Sequence, residues 1–342
     1  MTGPSSSGRP GMADEDPDED ETLDTTRAFE DSDPLRGNVD EKPAPIPDPA
    51  RDAPKIKGVT VQGVIGKGGQ GMVYSGLQDF ISRKVAIKVL LKGASEDYQN
   101  RFRREARILA GLQHPHIVTC YHADVTELGE CYLLMELIEG PDLDRYIRKF
   151  GPLDPCDALQ VVHDIATALE HGCKTSIIHR DVKPQNVLLH PQVEEGPFPY
   201  RAKLADLGLA RVTDESSDFS KLTMQGAVMG TPSTMAPEQF DDPESVDFRA
   251  DIYGLGCVLY QTLAGRLPFA GQTFSQIFKQ KVVGELPDLR EECSDLPDSV
   301  YRLVMRMLDP DRENRQQSYA ELIEELDAEI TCLLYTSPSP RD

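Results

Sequence analysis

The chain has 342 residues, room for one large or two medium domains, and carries 36 Lys and Arg against 58 Asp and Glu, a net charge of −22 and a pI near 4.7. Such an acidic excess argues against a general nucleic-acid binder, which needs a basic face for phosphates. Seven cysteines without a C-x-x-C pair point away from a zinc ribbon or a secreted disulfide scaffold and fit a reducing compartment.

Residues 1–54 hold 15 acidic and 5 basic side chains, a net of −10, with many prolines and almost no aromatics. A chain of that composition cannot bury enough apolar surface to offset its ordering entropy, so a disordered acidic tail is expected there. Within it, Glu21-Thr22-Leu23-Asp24-Thr25-Thr26 is either an inert solvated stretch or a phosphothreonine docking site for a binding partner. After Lys55 the texture changes. Val59, Val61 and Ile65 alternate with small or polar residues, and Val85-Ala86-Ile87-Lys88-Val89-Leu90 is a second β-rich run. A helix is predicted over Asp97–Leu112, and beyond Gly140 the apolar spacing turns chiefly helical, as in Ala158–Lys174, Ala250–Ala264 and Ser299–Leu308. A small sheet-rich lobe thus precedes a larger helical one, an α+β arrangement, and no 20–50-residue period recurs. The longest apolar stretch, Ile252–Gly265, is too short to span a bilayer and contains Gln261, so no membrane segment is read from these residues. The final string, Cys332–Asp342, reads CLLYTSPSPRD and resembles the translation of a sequencing-library adapter, which marks 332–342 as an expected artefact and the native chain as truncated.

Three strings carry chemistry. Ile65-Gly66-Lys67-Gly68-Gly69-Gln70-Gly71-Met72-Val73 sets glycines at G-x-G-x-x-G spacing between β-type runs, where bare backbone can fold over a polyphosphate; a plain glycine-rich hairpin is the alternative. Lys88 closes an apolar run in which a buried ammonium needs an anion. Phe102, Glu105, Leu109 and Leu112 follow helical spacing, which sets Glu105 in the stripe facing the sheet; a surface lysine and a glutamate held outward by Arg101, Arg103, Arg104 and Arg107 is the other reading. The strongest string is Ile178-His179-Arg180-Asp181-Val182-Lys183-Pro184-Gln185-Asn186-Val187-Leu188-Leu189. Its Asp181, Lys183 and Asn186 supply a proton acceptor, a phosphate-binding cation and a metal-ligating amide on one loop. Asp206, at the end of Lys203-Leu204-Ala205, suits a magnesium ion that substrate phosphates also bind. His114 and His116, flanking Pro115, are read as structural or surface residues rather than metal ligands.

Taken in order and in register, these motifs resemble the eukaryotic-type protein kinase family, closest to the bacterial serine/threonine kinases, over about residues 58–330. The resemblance implies a two-lobed kinase fold over 55–331, with an N-lobe at 55–138 and a C-lobe at 139–331. It implies ATP and Mg²⁺ as cofactors and protein substrates with Ser or Thr acceptors, with no nucleic-acid partner. By the same resemblance, Gly66, Gly68 and Gly71 belong to the glycine loop, Lys88 to the α- and β-phosphates, and Glu105 to an ion pair with Lys88. Asp181 becomes the catalytic base, Lys183 the cation on the γ-phosphoryl group, and Asn186 with Asp206 the magnesium ligands. Met135 resembles the gatekeeper, Glu136 to Ile138 the hinge, and Val73, Ala86 and Leu188 the walls of the adenine site.

Lys183-Pro184 and Gly230-Thr231-Pro232 resemble the serine/threonine subclass, in which Thr231 and Lys183 both reach Asp181. Glu238 of Ala236-Pro237-Glu238 is expected to pair with Arg315, and Asp251 to bond the catalytic-loop backbone. Arg180 beside Asp181 implies activation by phosphorylation, with Thr223 the candidate acceptor among Ser216, Ser217 and Ser220. Four departures stand out: Leu207 where Phe is commoner, Thr234 in place of the usual Tyr, an insertion over Val193–Tyr200, and two extra residues between Pro310 and Arg315. A pseudokinase scaffold is the alternative function, disfavoured by the full set of Lys88, Glu105, Asp181, Asn186 and Asp206. Bacterial members of this type often continue into a membrane helix and a sensor domain, so the expected setting is a cytoplasmic kinase domain in a longer, anchored protein.

Overall fold

The computed structural model describes residues 53–68, 71–90, 96–192, 198–207, 232–271, 273–283, 286–294 and 296–336. These lie within one unit, Pro47–Asp342. The acidic tail through residue 52, its Thr22–Thr26 string, Gly69, Gln70, Thr223 and Thr231 fall outside the described residues.

The first lobe is a five-stranded antiparallel sheet in the order β1-β2-β3-β5-β4. Its strands are β1 (Val59–Gly68), β2 (Gly71–Gln78), β3 (Arg83–Leu90), β4 (Cys120–Val125) and β5 (Cys131–Glu136). Strand alternation sorts the side chains into two small cores. Val85, Ile87 and Val89 of β3 join Tyr74, Tyr132 and Leu134 on one face. On the other face, Leu90, Cys131 and Leu133 meet Tyr98, Phe102 and Ala106 of α1 (Glu96–Gly111). Lys88 shares the parity of Leu90, which turns its ammonium to the α1 side of the sheet.

Helix α1 buries Tyr98, Phe102 and Ala106, an i, i+4, i+8 stripe. Of the expected Phe102, Glu105, Leu109, Leu112 line, Phe102 and Leu112 are buried and Leu109 packs half-buried on the same core, but the stripe is turned toward Tyr98 and Ala106, which leaves Glu105 half-buried at its edge.

The second lobe packs around α3 (Pro155–Cys173) and α5 (Arg249–Ala264), with α2 (Leu143–Phe150) ahead of α3 and α4 (Glu238–Asp241) between the two in the chain. Helices α6 (Phe274–Val283), α7 (Leu289–Glu292), α8 (Asp298–Met307) and α9 (Tyr319–Thr336) follow. Asp154 accepts the Cys156 N–H and Pro155 opens the first turn, so α3 begins where its sequence allows it to. Fourteen residues of α5 are buried, the expected state of a helix that is apolar all round. It stops at Gly265, whose φ of 75° lets its N–H close back on the Gln261 carbonyl at 2.8 Å. Packed on the second lobe's core, β6 (Val187–Pro191) and β7 (Tyr200–Leu204) form a two-stranded ribbon, bridged by Leu204 to Ile117 in the α1–β4 connection. Among the described residues no helix is long and apolar enough to cross a membrane.

Candidate active site

The loop ahead of β6 is held from beneath by a carboxylate. Asp251, buried in the first turn of α5, accepts the backbone N–H groups of His179 at 2.8 Å and Arg180 at 2.7 Å and the Tyr319 hydroxyl at 3.2 Å. Burial raises the pKa of Asp251, while His179, the two N–H groups and Tyr319 favour its charged form. The loop needs such an anchor because Arg180 has a φ of 62°, a left-handed conformation that is unfavourable for a side chain of its size. His179 is buried as well; its Nε2 meets the Ala205 carbonyl at 3.0 Å and its Nδ1 accepts the Asp181 N–H at 3.2 Å.

On this base the polar groups converge. Lys183 Nζ lies 2.6 Å from Asp181 Oδ2. Asn186, in the 3₁₀ turn Pro184–Asn186, donates from Nδ2 to the Asp181 carbonyl at 2.8 Å and to Oδ2 at 3.3 Å. The Ala205 N–H then bonds the Asn186 carbonyl at 2.8 Å, which locks the Asp206 segment to the loop. Asp206, itself at a φ of 61°, places Oδ1 2.7 Å from Lys88 Nζ. Burial raises the Asp206 pKa, but the charges of Lys88, His179 and Lys183 and the Lys88 hydrogen bond outweigh it, and the carboxyl is held below its ordinary value.

Five residues from three strings far apart in the sequence therefore share one cluster. Glu105 does not join it: among the described residues no ion pair links it to Lys88, and the pair seen is Lys88 with Asp206. The rotation of α1 toward Tyr98 and Ala106 accounts for this, since it leaves Glu105 at the side of the stripe.

The remaining sequence candidates lie on the strands above. Ile65, Gly66, Lys67 and Gly68 are in β1, Gly71, Met72 and Val73 in β2, with Val73 paired to Lys88 and Gly66 to Val73. Gly71 has no alternative: a Cβ there would meet the Val89 carbonyl oxygen at 2.1 Å. Ala86 pairs with Met135 across β3 and β5, and Leu188 is half-buried on β6.

Glu136 is fixed by a contact that no motif announced. Both its carboxylate oxygens lie 2.9 Å from Lys203 Nζ on β7, and it also accepts the Thr119 N–H at 3.2 Å. Lys203 was readable only as part of a β-run. Gln239 was likewise silent in the sequence. It accepts the Ala236 N–H at Oε1 and donates from Nε2 to the Arg180 carbonyl, both at 2.9 Å.

Two departures from the expected pattern resolve structurally. Leu207 is buried and packs over Gly172 of α3, so it still plugs an apolar site. The pair between Glu238 and Arg315 forms at 2.6 and 2.9 Å, because the extra residues after Pro310 are taken up in turns closed by Asn314 N–H to the Asp311 carbonyl and Arg315 N–H to the Arg312 carbonyl.

A model of the protein kinase domain family matches residues 59–325. The chain belongs to the protein kinase family. Its similarity is to bacterial serine/threonine members. It is 35% identical over 261 residues to serine/threonine-protein kinase PknH of Mycobacterium tuberculosis, covering 76% of this chain and 40% of that protein. It is 33% identical over 273 residues to serine/threonine-protein kinase PrkC of Bacillus subtilis, covering 78% and 39%. The kinase chain thus spans about two fifths of the length of these relatives. A crystal structure of Rad53 residues 1–466 in complex with AMP-PNP shares the fold, with a TM-score of 0.64 at 24% identity over 79% of this chain and 65% of that one.

Proposed function

We propose that this kinase domain transfers the γ-phosphoryl group of MgATP to Ser or Thr hydroxyls of protein substrates, in the setting of a longer protein. The observation that carries the reading is that Lys183 and Asn186 gather on Asp181 while Lys88 pairs with Asp206, the two groups being joined by the backbone bond from the Ala205 N–H to the Asn186 carbonyl. A scaffold that binds without transferring has no use for two carboxylates, an amide and two ammonium groups brought together.

In this reading Asp181 orients the acceptor hydroxyl and takes its proton as the oxygen attacks the γ-phosphorus; the bond to the bridging oxygen breaks and ADP leaves. Lys183, already on Asp181, stands where the transferring group's charge is met. Lys88 holds the α- and β-phosphates once it exchanges Asp206 for them. The glycine strands β1 and β2 cover the phosphates, and Val73, Ala86 and Leu188 enclose the base, with Met135 and Glu136 at its edge.

The donor set fits magnesium: Asp206 is kept ionised and Asn186 offers an amide oxygen, two hard oxygen ligands for an ion that completes its shell with water and phosphate. When bound, the ion neutralises phosphate charge. Glu105 remains the candidate partner for Lys88 when Asp206 is otherwise engaged.

Three finer assignments rest on sequence. Arg180 beside Asp181 supports activation by phosphorylation at Thr223, with Thr231 contacting Asp181; equal autophosphorylation and substrate turnover by Thr223→Ala would refute this role for Thr223. The Thr22–Thr26 string supports a phosphothreonine-binding partner, and the family's habit of continuing into a membrane helix supports an anchored full-length protein. The domain division is proposed as drawn from sequence, with 332–342 assigned to adapter on the string alone.

The deciding experiment incubates purified protein with magnesium and γ-labelled ATP beside Asp181→Asn. Label on Ser or Thr in the parent alone is expected. No label in the parent refutes the activity, and label on Tyr alone refutes the subclass.

A further inference from the structure

Lys281, on α6, is fully buried. An ammonium taken out of water destabilises a fold unless it is paired, yet among the described residues no carboxylate lies within ion-pair distance of it. Its partners are backbone carbonyls: Nζ donates to Ser233 O at 2.9 Å and Met235 O at 2.8 Å, with the Tyr253 hydroxyl at 3.4 Å. The ring faces of Tyr253 and Phe269 complete the enclosure, 4.7 and 4.4 Å from Nζ. Burial lowers its pKa to about 8; Cys257 and Glu238 oppose that shift and Arg315 adds to it. Held in this way, the ammonium ties α6 to the segment that carries the two carbonyls.

The two carbonyls flank Thr234, which is buried and small where kinases of this type usually carry Tyr, so the segment is without that aromatic anchor. This segment is wired to the catalytic loop. Ala236, next after Met235, gives its N–H to Gln239, and Gln239 donates in turn to the carbonyl of Arg180, the residue before Asp181. Lys88, proposed for the α- and β-phosphates, and its partner Asp206 belong instead to β3 and to the residues just after β7.

We propose that Lys281 is a positioning residue for the protein substrate: by gripping the Ser233 and Met235 carbonyls it fixes the segment beside the catalytic loop on which the acceptor polypeptide is aligned with Asp181. This rests on the protein kinase reading above.

The test compares the parent with Lys281→Met, which keeps length and loses charge, and Lys281→Gln, which keeps N–H donors. Three quantities are read: backbone hydrogen exchange over residues 232–240, KM for a Ser/Thr protein substrate against KM for ATP, and melting temperature. For Lys281→Met, exchange over 232–240 is expected to be about tenfold faster. Its protein-substrate KM rises about tenfold while its ATP KM stays within about twofold. Its melting temperature should change little, since a buried charge is gone while the Ser233 and Met235 carbonyls lose their donor. Lys281→Gln should fall between the two.

Unchanged exchange and unchanged protein-substrate KM overturn the proposal, as does a joint rise of both KM values with a fall in melting temperature, the mark of a purely structural role. Should Lys281→Met not fold, Lys281→Gln decides by the same readings. If the parent transfers no phosphate, the kinase reading falls, and exchange over 232–240 still decides whether Lys281 holds the segment.

Discussion

Replacing Arg315 with Met tests how the end of the 232–238 segment is anchored. The guanidinium is fully buried and donates to both Glu238 oxygens, at 2.6 and 2.9 Å, and to the carbonyls of Asp309, Arg249 and Pro310 at 2.8, 3.0 and 3.2 Å. Its carbon also sits 4.8 Å from the centre of the Tyr253 ring. Arg315→Met leaves a largely buried carboxylate and three carbonyls without their donor, and breaking a buried pair in this way costs about 3–5 kcal/mol. Glu238→Gln should cost less, because an amide can still accept from the guanidinium and the carbonyl bonds survive. In Arg315→Met/Glu238→Gln the uncompensated charge is gone, so the double variant should be more stable than the sum of the single losses predicts, by about 1–3 kcal/mol. Urea unfolding of the four proteins at pH 7 gives the cycle. Near-zero coupling, or a loss below about 1 kcal/mol for Arg315→Met, would refute the account.

Other substitutions probe the site. Asp181→Asn should lower phosphoryl transfer by about 10²- to 10⁴-fold in a labelled-ATP assay while leaving the unfolding midpoint near the parent's. Lys88→Met should abolish transfer. It should also change acid sensitivity: the folded Asp206 pKa lies below the unfolded value, so its stabilisation is present above the ordinary carboxylate range and lost as pH falls through the folded pKa. Without Lys88 that pKa rises, and the variant should lose less stability between about pH 5 and 3 than the parent does. Lys281 works in the opposite direction. A lysine pKa lowered from 10.5 to about 8 means that the unfolded chain binds the extra proton, so parent stability should gain about 3 kcal/mol, relative to Lys281→Met, as pH rises from 8 to 10.5. A stability difference between the two that is constant with pH would show that the ammonium is not buried in solution.

The sequence by itself determined the class of fold and most of the chemistry. An alternating run at Val59–Ile65, a β-rich run at Val85–Leu90, a helix over about 97–112 and helical apolar spacing in Ala250–Ala264 were enough to divide a sheet lobe from a helical one, because hydrophobic pattern is local information. The loop residues Asp181, Lys183 and Asn186 were legible for the same reason: their spacing is fixed within six residues. Asp206 was legible as a second carboxylate, and Asp251 and Glu238 through the resemblance. What only the tertiary structure decided were contacts between elements distant in the chain. The rotation of α1 on the sheet depends on how Tyr98 and Ala106 pack, and that angle gives Lys88 to Asp206 rather than Glu105. Lys203 on Glu136, Gln239 on Arg180 and Lys281 on the carbonyls beside Thr234 span 67, 59 and about 48 residues, and no local pattern marks any of the three. A buried cation on an amphipathic helix reads in sequence as an ordinary exposed lysine; burial, a property of the packed lobe, is what gives it a role.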